Sequence, residues 1–75
     1  SVYPNPLVCS QELTISGIDE AFTIRIRDLN GKTVYFNQSA TSTVQLPSSI
    51  QTGQYIMTIE TAEHIWNKKL IVKQD

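Results

Sequence analysis

Alternation of apolar and polar side chains is the feature that most constrains the fold of this chain. In the stretch AFTIRIRDL, Phe22, Ile24 and Ile26 alternate with threonine and arginine, which is typical of a β-strand with one buried face. The same period of two recurs in ELTIS, KTVYFNQS, TSTVQLP, GQYIMTIET and HIWNKKLIVKQ. No stretch has the spacing of a convincing amphipathic helix. The sequence therefore predicts an all-β fold.

Each predicted strand has an inner set of apolar side chains. In chain order these sets are Leu13 and Ile15; Phe22, Ile24 and Ile26; Val34 and Phe36; Val44 and Leu46; Tyr55, Met57 and Ile59; and Trp66, Leu70 and Val72. Lys68 shares the parity of Trp66 and Leu70, so the last strand needs either a bulge or a snorkelling lysine stem there. About seven short strands separated by turn residues predict an immunoglobulin-like antiparallel sandwich.

Prolines and one Asn-Gly pair set the predicted edges and turns. Pro4 and Pro6 donate no ladder hydrogen bond, so the opening SVYPNP is expected to be extended and to lie at an edge or ahead of a strand. Asn30 and Gly31 predict a hairpin with a type I′ turn, because both residue types tolerate a positive φ.

Length and charge exclude several classes of protein. A chain of 75 residues forms one domain with a thin core. Its six basic and seven acidic residues leave a net charge of −1, which argues against a nucleic-acid-binding protein. Residues 1 to 15 lack the pattern of a secretory signal, so export of such a domain is expected to depend on a segment upstream.

Catalytic and metal-binding signals are weak. His64 and Cys9 are the histidine and the cysteine of the chain, they are far apart in sequence, and no third group is evident to orient them. Cys9 cannot form an internal disulfide and reads most simply as a small apolar residue. RDLNGK supplies Asp28 and Asn30 but too few oxygen ligands for a calcium loop. We therefore expect no catalytic residue, metal or cofactor.

Two further patterns leave binding functions open. Asn37 begins an NQS acceptor pattern for glycosylation, which is common by chance. Four aromatic residues offer a possible sugar platform, although packing within strands is the simpler interpretation: Tyr3, Tyr35, Tyr55 and Trp66. A small carbohydrate-binding or adhesive sandwich is thus an alternative, and a passive spacer domain is another.

Five segments in a fixed order resemble the C-terminal sorting domain of the type IX secretion system, in the type A form found in Bacteroidota. These segments are VYPNP, LTI, IRDLNGKTV, LPSSIQTGQYIMTIE and KKLIVKQ, and together they extend from Val2 to Gln74. The resemblance implies that residues 1–75 are a single sorting domain cut from a larger secreted protein. It also implies a cargo domain on the N-terminal side, passage through the periplasm, and delivery to the cell surface or the medium. The implied partners are outer-membrane components of the machinery, including a shuttle and a sortase-like peptidase.

The resemblance transfers family motifs to particular residues. Pro4, Asn5 and Pro6 match the opening motif, Gly31 matches the central turn, Gly53 and Tyr55 match a G-x-Y motif, and Lys69 and Lys73 match the basic terminal segment. Gly31 and Gly53 are expected in turns, and Tyr55 is expected in the core with its hydroxyl at the rim.

The terminal segment is the predicted contact for the secretion machinery. Lys68, Lys69 and Lys73 lie close together on the last strand and are expected to steer an acidic partner that reads this segment by strand addition. Protection of a strand edge against aggregation is an equally simple role for these lysines. Cys9 departs from the family pattern, so the resemblance implies no role for its thiol. The linker that would hold the family's cleavage site is not part of these residues, which therefore do not indicate whether the domain is cleaved.

Overall fold

Eight β-strands make up the regular structure of the computed structural model, which describes residues 2–3, 7–8, 12–47 and 49–73. They are β1 (Val2–Tyr3), β2 (Leu7–Val8), β3 (Glu12–Ile15), β4 (Phe22–Asp28), β5 (Thr33–Ala40), β6 (Thr43–Gln45), β7 (Gly53–Glu60) and β8 (Ile65–Lys73). The described residues contain no helix, and hence none that could span a membrane. The all-β prediction is confirmed, with eight strands in place of about seven because the opening segment contributes two.

The strands form two sheets. One is three-stranded, in the order β1-β3-β6, and the other is five-stranded, in the order β2-β8-β7-β4-β5. All pairings are antiparallel except that of β2 with β8, in which Leu7 pairs with Val72 and Val8 pairs with Lys73. An early strand, β2, and the last strand, β8, therefore lie side by side on the larger sheet.

Apolar side chains from both sheets meet in one core. Its buried members are Leu13, Ile15, Phe22, Ile24, Ile26, Ala40, Val44, Leu46, Ile50, Tyr55, Met57, Ile59, Leu70 and Val72. Each large aliphatic side chain removed from water contributes roughly 1.5–3 kcal/mol to folding. The predicted inner sets of β3, β4, β6 and β7 are all in this core, so the alternation in the sequence identifies these faces.

Strand β5 departs from the predicted alternation. Phe36 pairs with Arg25 on the side away from the core, whereas Tyr35 pairs with Ile26 on the core side. Val34 is half-buried and packs against the core as well. The predicted sharing of one face by Val34 and Phe36 is therefore wrong, because the register shifts next to the hairpin and a bulge reverses the parity of the strand.

The first half of β8 is the second departure. Trp66 remains 44% exposed, although it lies on the core side opposite Ile59. Pairing with β7 is regular from Val72 to Ile65, so the strand contains no bulge against β7 and Lys68 occupies an exposed position on the core side. Trp66 and Lys68 border an open concavity instead of the packed core, which is why the alternation overpredicts the burial of Trp66.

The β4–β5 hairpin closes through the four residues between Asp28 and Thr33. The Gly31 N–H donates to the Asp28 carbonyl at 3.0 Å, and the Asp28 N–H donates to the Lys32 carbonyl at 2.9 Å. Gly31 has a φ of +88°, and no non-glycine residue among those described has a positive φ. The predicted hairpin is correct, but the type I′ turn is wrong because that turn needs a positive φ at Asn30 as well.

Candidate functional site

The five-stranded sheet presents one face to the core and the opposite face to solvent. We call the second the outer face, defined by the side chains that alternate with the core positions: Arg25, Arg27, Phe36, Ile56, Thr58, Ile65, Asn67, Lys69 and Lys73. Four strands thus contribute to one continuous surface, because residues paired across neighbouring strands point to the same side of a sheet.

Side-chain contacts order the middle of the outer face. The guanidinium carbon of Arg25 lies 4.7 Å from the centre of the Phe36 ring, within range of a cation–π interaction. Arg27 donates from Nη2 to the Thr58 hydroxyl oxygen at 3.2 Å, and that hydroxyl donates to Oδ1 of Asn67 at 2.8 Å. These contacts link β5, β4, β7 and β8 and restrict the two arginines to few rotamers.

Positive charge is concentrated on this face. It holds four of the six lysines and arginines of the chain: Arg25, Arg27, Lys69 and Lys73. Glu60 is the acidic residue that shares the face within the described part of the chain. Asp19, Glu20 and Glu63 instead line a second concavity, which also contacts His64 and Trp66. The fold therefore separates the charges of a nearly neutral chain.

Exposed apolar groups lie among these charges. Phe36 is 43% exposed, Ile56 is 37% exposed and Ile65 is 62% exposed, and all three belong to the outer face. Across the strands, Ile56 pairs with Arg27 on one side and with Lys69 on the other. The face thus combines cationic groups with apolar contact area, a combination typical of protein interfaces.

The structure divides the three lysines of the terminal segment. Lys69 and Lys73 alternate onto the outer face, whereas Lys68 lies on the opposite side of β8, beside Trp66. Strand β2 pairs with β8 at Val72 and Lys73. A partner strand therefore cannot be added to this end of β8 unless it displaces β2.

The glycine and tyrosine residues of the family motifs contribute to the fold. Gly53 is the first residue of β7, pairs with Val72 and has no positive φ, so its predicted place in a turn is wrong. Gly31 does occupy the turn. Tyr55 is 7% exposed, and its hydroxyl donates to the Gln51 carbonyl at 2.6 Å. Pro4, Asn5 and Pro6 lie outside the described residues, as does Cys9.

Other residues considered from the sequence do not assemble into a site. His64 stacks on Trp66 with ring centres 5.3 Å apart, and the described part of the chain contains no cluster of metal-ligating side chains. Tyr55 is buried while Tyr35 is half-buried on the core side, so neither joins Trp66 in a sugar platform. Asn37 accepts the Ser39 N–H at 2.9 Å within β5, which engages the side chain of the NQS pattern.

Sequence reasoning missed Arg25 and Arg27 as site residues. The alternation of β4 already placed both on the exposed side. What it could not supply is the pairing of β4 with β7 and of β7 with β8, which places the arginines and Lys69 two strand spacings apart, roughly 10 Å across the sheet.

A solved structure and a family model are similar to this chain. PorZ, an essential bacterial surface component of the type-IX secretion system of Porphyromonas gingivalis, matches with a TM-score of 0.73 at 23% identity, over 96% of this chain and 11% of that chain. This chain thus corresponds to a small part of PorZ, and the likeness shows a shared fold. No curated protein matches the sequence.

The family model described as "Secretion system C-terminal sorting domain" matches residues 1–73. This match confirms the resemblance deduced from the five segments of the sequence. The chain belongs to the family of secretion system C-terminal sorting domains, and it acts as a signal for type IX secretion across the outer membrane.

Proposed function

We propose that outer-membrane components of the type IX machinery, including a shuttle and a sortase-like peptidase, read this domain in its folded form. The family match over residues 1–73 is the observation that supports this role most strongly. In this proposal, a cargo domain precedes the chain in the parent protein and passes with it through the periplasm. The cargo then reaches the cell surface or the medium.

Pairing of β2 with β8 supports recognition of a folded unit. The family's opening motif directly precedes β2, and the basic terminal segment lies on β8. The residues directly after the opening motif therefore pair with the basic terminal segment on the five-stranded sheet, whereas Val2 and Tyr3 of that motif form β1 in the other sheet. A partner that contacts this part of the sheet contacts β2 and β8 together, and does so only after the domain has folded.

The terminal lysines are the proposed contacts in this region. Lys69 and Lys73 are exposed on the outer face, and Lys68 is exposed on the other side of the same strand. Lysines in such positions accelerate encounter with an acidic partner by electrostatic steering. We propose a binding role without catalysis or cofactor, and no role for nucleic acid.

An immunoglobulin-like class is the finer fold assignment that we propose. Tyr55 lies near the start of β7, and its hydroxyl bonds to the carbonyl of Gln51, four residues upstream. A tyrosine that bonds back to the preceding corner in this way is a hallmark of immunoglobulin-like sandwiches. The two-sheet architecture is consistent with the same class.

Charge removal at the terminal segment tests the proposed contact. A reporter fused ahead of residues 1–75 and behind a signal peptide is expressed in a bacterium with the type IX machinery. We expect a variant with Lys68→Gln, Lys69→Gln and Lys73→Gln to show a severalfold lower exported fraction, while Lys32→Gln in the hairpin loop stays at the wild-type level. Equal export of both folded variants would show that the terminal lysines are not read.

A further inference from the structure

We propose that the outer face is a docking surface for an acidic protein surface of the secretion machinery, and that Arg25 and Arg27 are its main contacts. This inference rests on the proposed function and deepens it, since it assigns recognition to the middle of the sheet as well as to its terminal strand. The residues that carry it come from four strands and form a surface only in the folded domain.

Both arginines are held in place before a partner binds. Arg25 stacks on the Phe36 ring, and Arg27 bonds to Thr58 through Nη2. Within the described part of the chain neither forms an ion pair, so each keeps N–H donors for carboxylates. A guanidinium presents a rigid fork that matches a carboxylate with two parallel hydrogen bonds. Because the side chains are already ordered, binding costs less rotamer entropy.

The composition of the face favours a protein as the partner. Ile56 and Phe36 supply exposed apolar area between the cationic groups. Arginine and aromatic residues are enriched at protein interfaces, whereas polyanions and anionic membranes select dense positive charge. Here Glu60 shares the face and the chain has a net charge of −1. The inferred partner surface therefore carries separated carboxylates around an apolar contact.

The first test compares two variants with the same net charge. The double variant Arg25→Gln, Arg27→Gln removes two positive charges from the outer face. The control variant Lys32→Glu lowers the net charge by the same amount, but at a position in the hairpin loop. In the reporter fusion, we expect the double variant to reduce the exported fraction at least about tenfold, as for loss of two interface arginines. Lys32→Glu is expected to export normally. Both purified domains are expected to stay folded, with a urea midpoint slightly lower for the double variant because it loses the cation–π contact with Phe36 and the hydrogen bond to Thr58.

Wild-type export together with normal export of the double variant would overturn the docking inference and leave the proposed function intact. Failure of the wild-type fusion to leave the periplasm would instead overturn the proposed function, and this inference with it.

The second test does not depend on the fold of an arginine variant. In one variant a photoreactive phenylalanine analogue replaces Phe36 on the outer face. In the control variant it replaces Leu29, a hairpin-loop residue whose side chain is 67% exposed. We expect illumination of exporting cells to crosslink position 36 to a protein of discrete mass, and position 29 much less. A crosslink to position 29 alone would contradict the inference. A crosslink from position 36 to glycan or lipid, seen as a smear on a gel, would also contradict the inference, because the partner would then be a polyanion and not an acidic protein.

Discussion

Gly31 and Gly53 both match family motifs, but their backbones impose different demands. Gly31 has a φ of +88° in the hairpin loop, where a side chain is strained whatever the space around it. Gly53 has an ordinary strand backbone, and a Cβ added there would lie 3.9 Å from Cε1 of Tyr55, an ordinary contact distance. Turn geometry therefore explains glycine at the first position and does not explain it at the second.

The same substitution at these two glycines is expected to give different results. Gly31→Ala should lower the free energy of unfolding by about 1–2 kcal/mol, because the alanine Cβ is strained in the left-handed backbone conformation at this position. Gly53→Ala should change the free energy of unfolding by less than about 1 kcal/mol. The added methyl group fits without a clash, and alanine lowers the conformational entropy of the unfolded chain. Urea denaturation of the two purified variants measures the difference. Equal destabilisation would contradict the assigned turn.

At the scale of elements, β8 contributes to the core and also carries the lysines for which we propose a recognition role. Leu70 and Val72 are fully buried in the core, while Lys69 and Lys73 alternate with them on the outer face. The strand also lies between β2 and β7, so it supports the pairing of both. Its contribution to recognition can be measured only when its contribution to the core is preserved.

Removal of residues 68–75 is therefore expected to unfold the domain. The deletion removes Leu70 and Val72, and loss of one large core side chain typically costs about 2–5 kcal/mol, a large share of the stability of a small domain. Limited proteolysis and far-ultraviolet circular dichroism of the truncated chain test this expectation. A truncated domain that stays folded and protease-resistant would contradict the assigned core.

The strands were predictable where local alternation decides burial. Phe22, Ile24 and Ile26 on β4 are buried as their spacing indicates. The position of Phe36 was not predictable, because a register shift between paired strands is set by the hairpin and not by the composition of β5. Trp66 was mispredicted because its exposure depends on how far the second sheet covers β8.

The candidate site was predictable only in part, for a related reason. Lys69 and Lys73 were identified from the terminal segment, and their shared side follows from their spacing. Arg25 and Arg27 join them through the order β8-β7-β4. Strand order reflects contacts between distant segments, and a net charge of −1 conceals a cationic face produced in this way.

At the scale of the whole molecule, the two-sheet fold holds the residues of the sorting signal in fixed positions. One face of the five-stranded sheet forms part of the core, and the opposite face displays ordered charges and apolar groups. In the proposed function, the secretion machinery recognises the shape of this surface, so that cargo of any kind can precede the domain.

The most direct test of this account is export of the intact reporter fusion in matched strains with and without the type IX machinery. A reporter that lacks residues 1–75 serves as the control for leakage. The account predicts fluorescence at the cell surface or in the medium of the competent strain, and fluorescence retained in the periplasm of the disabled strain. A folded, intact fusion that stays in the periplasm of the competent strain would contradict it.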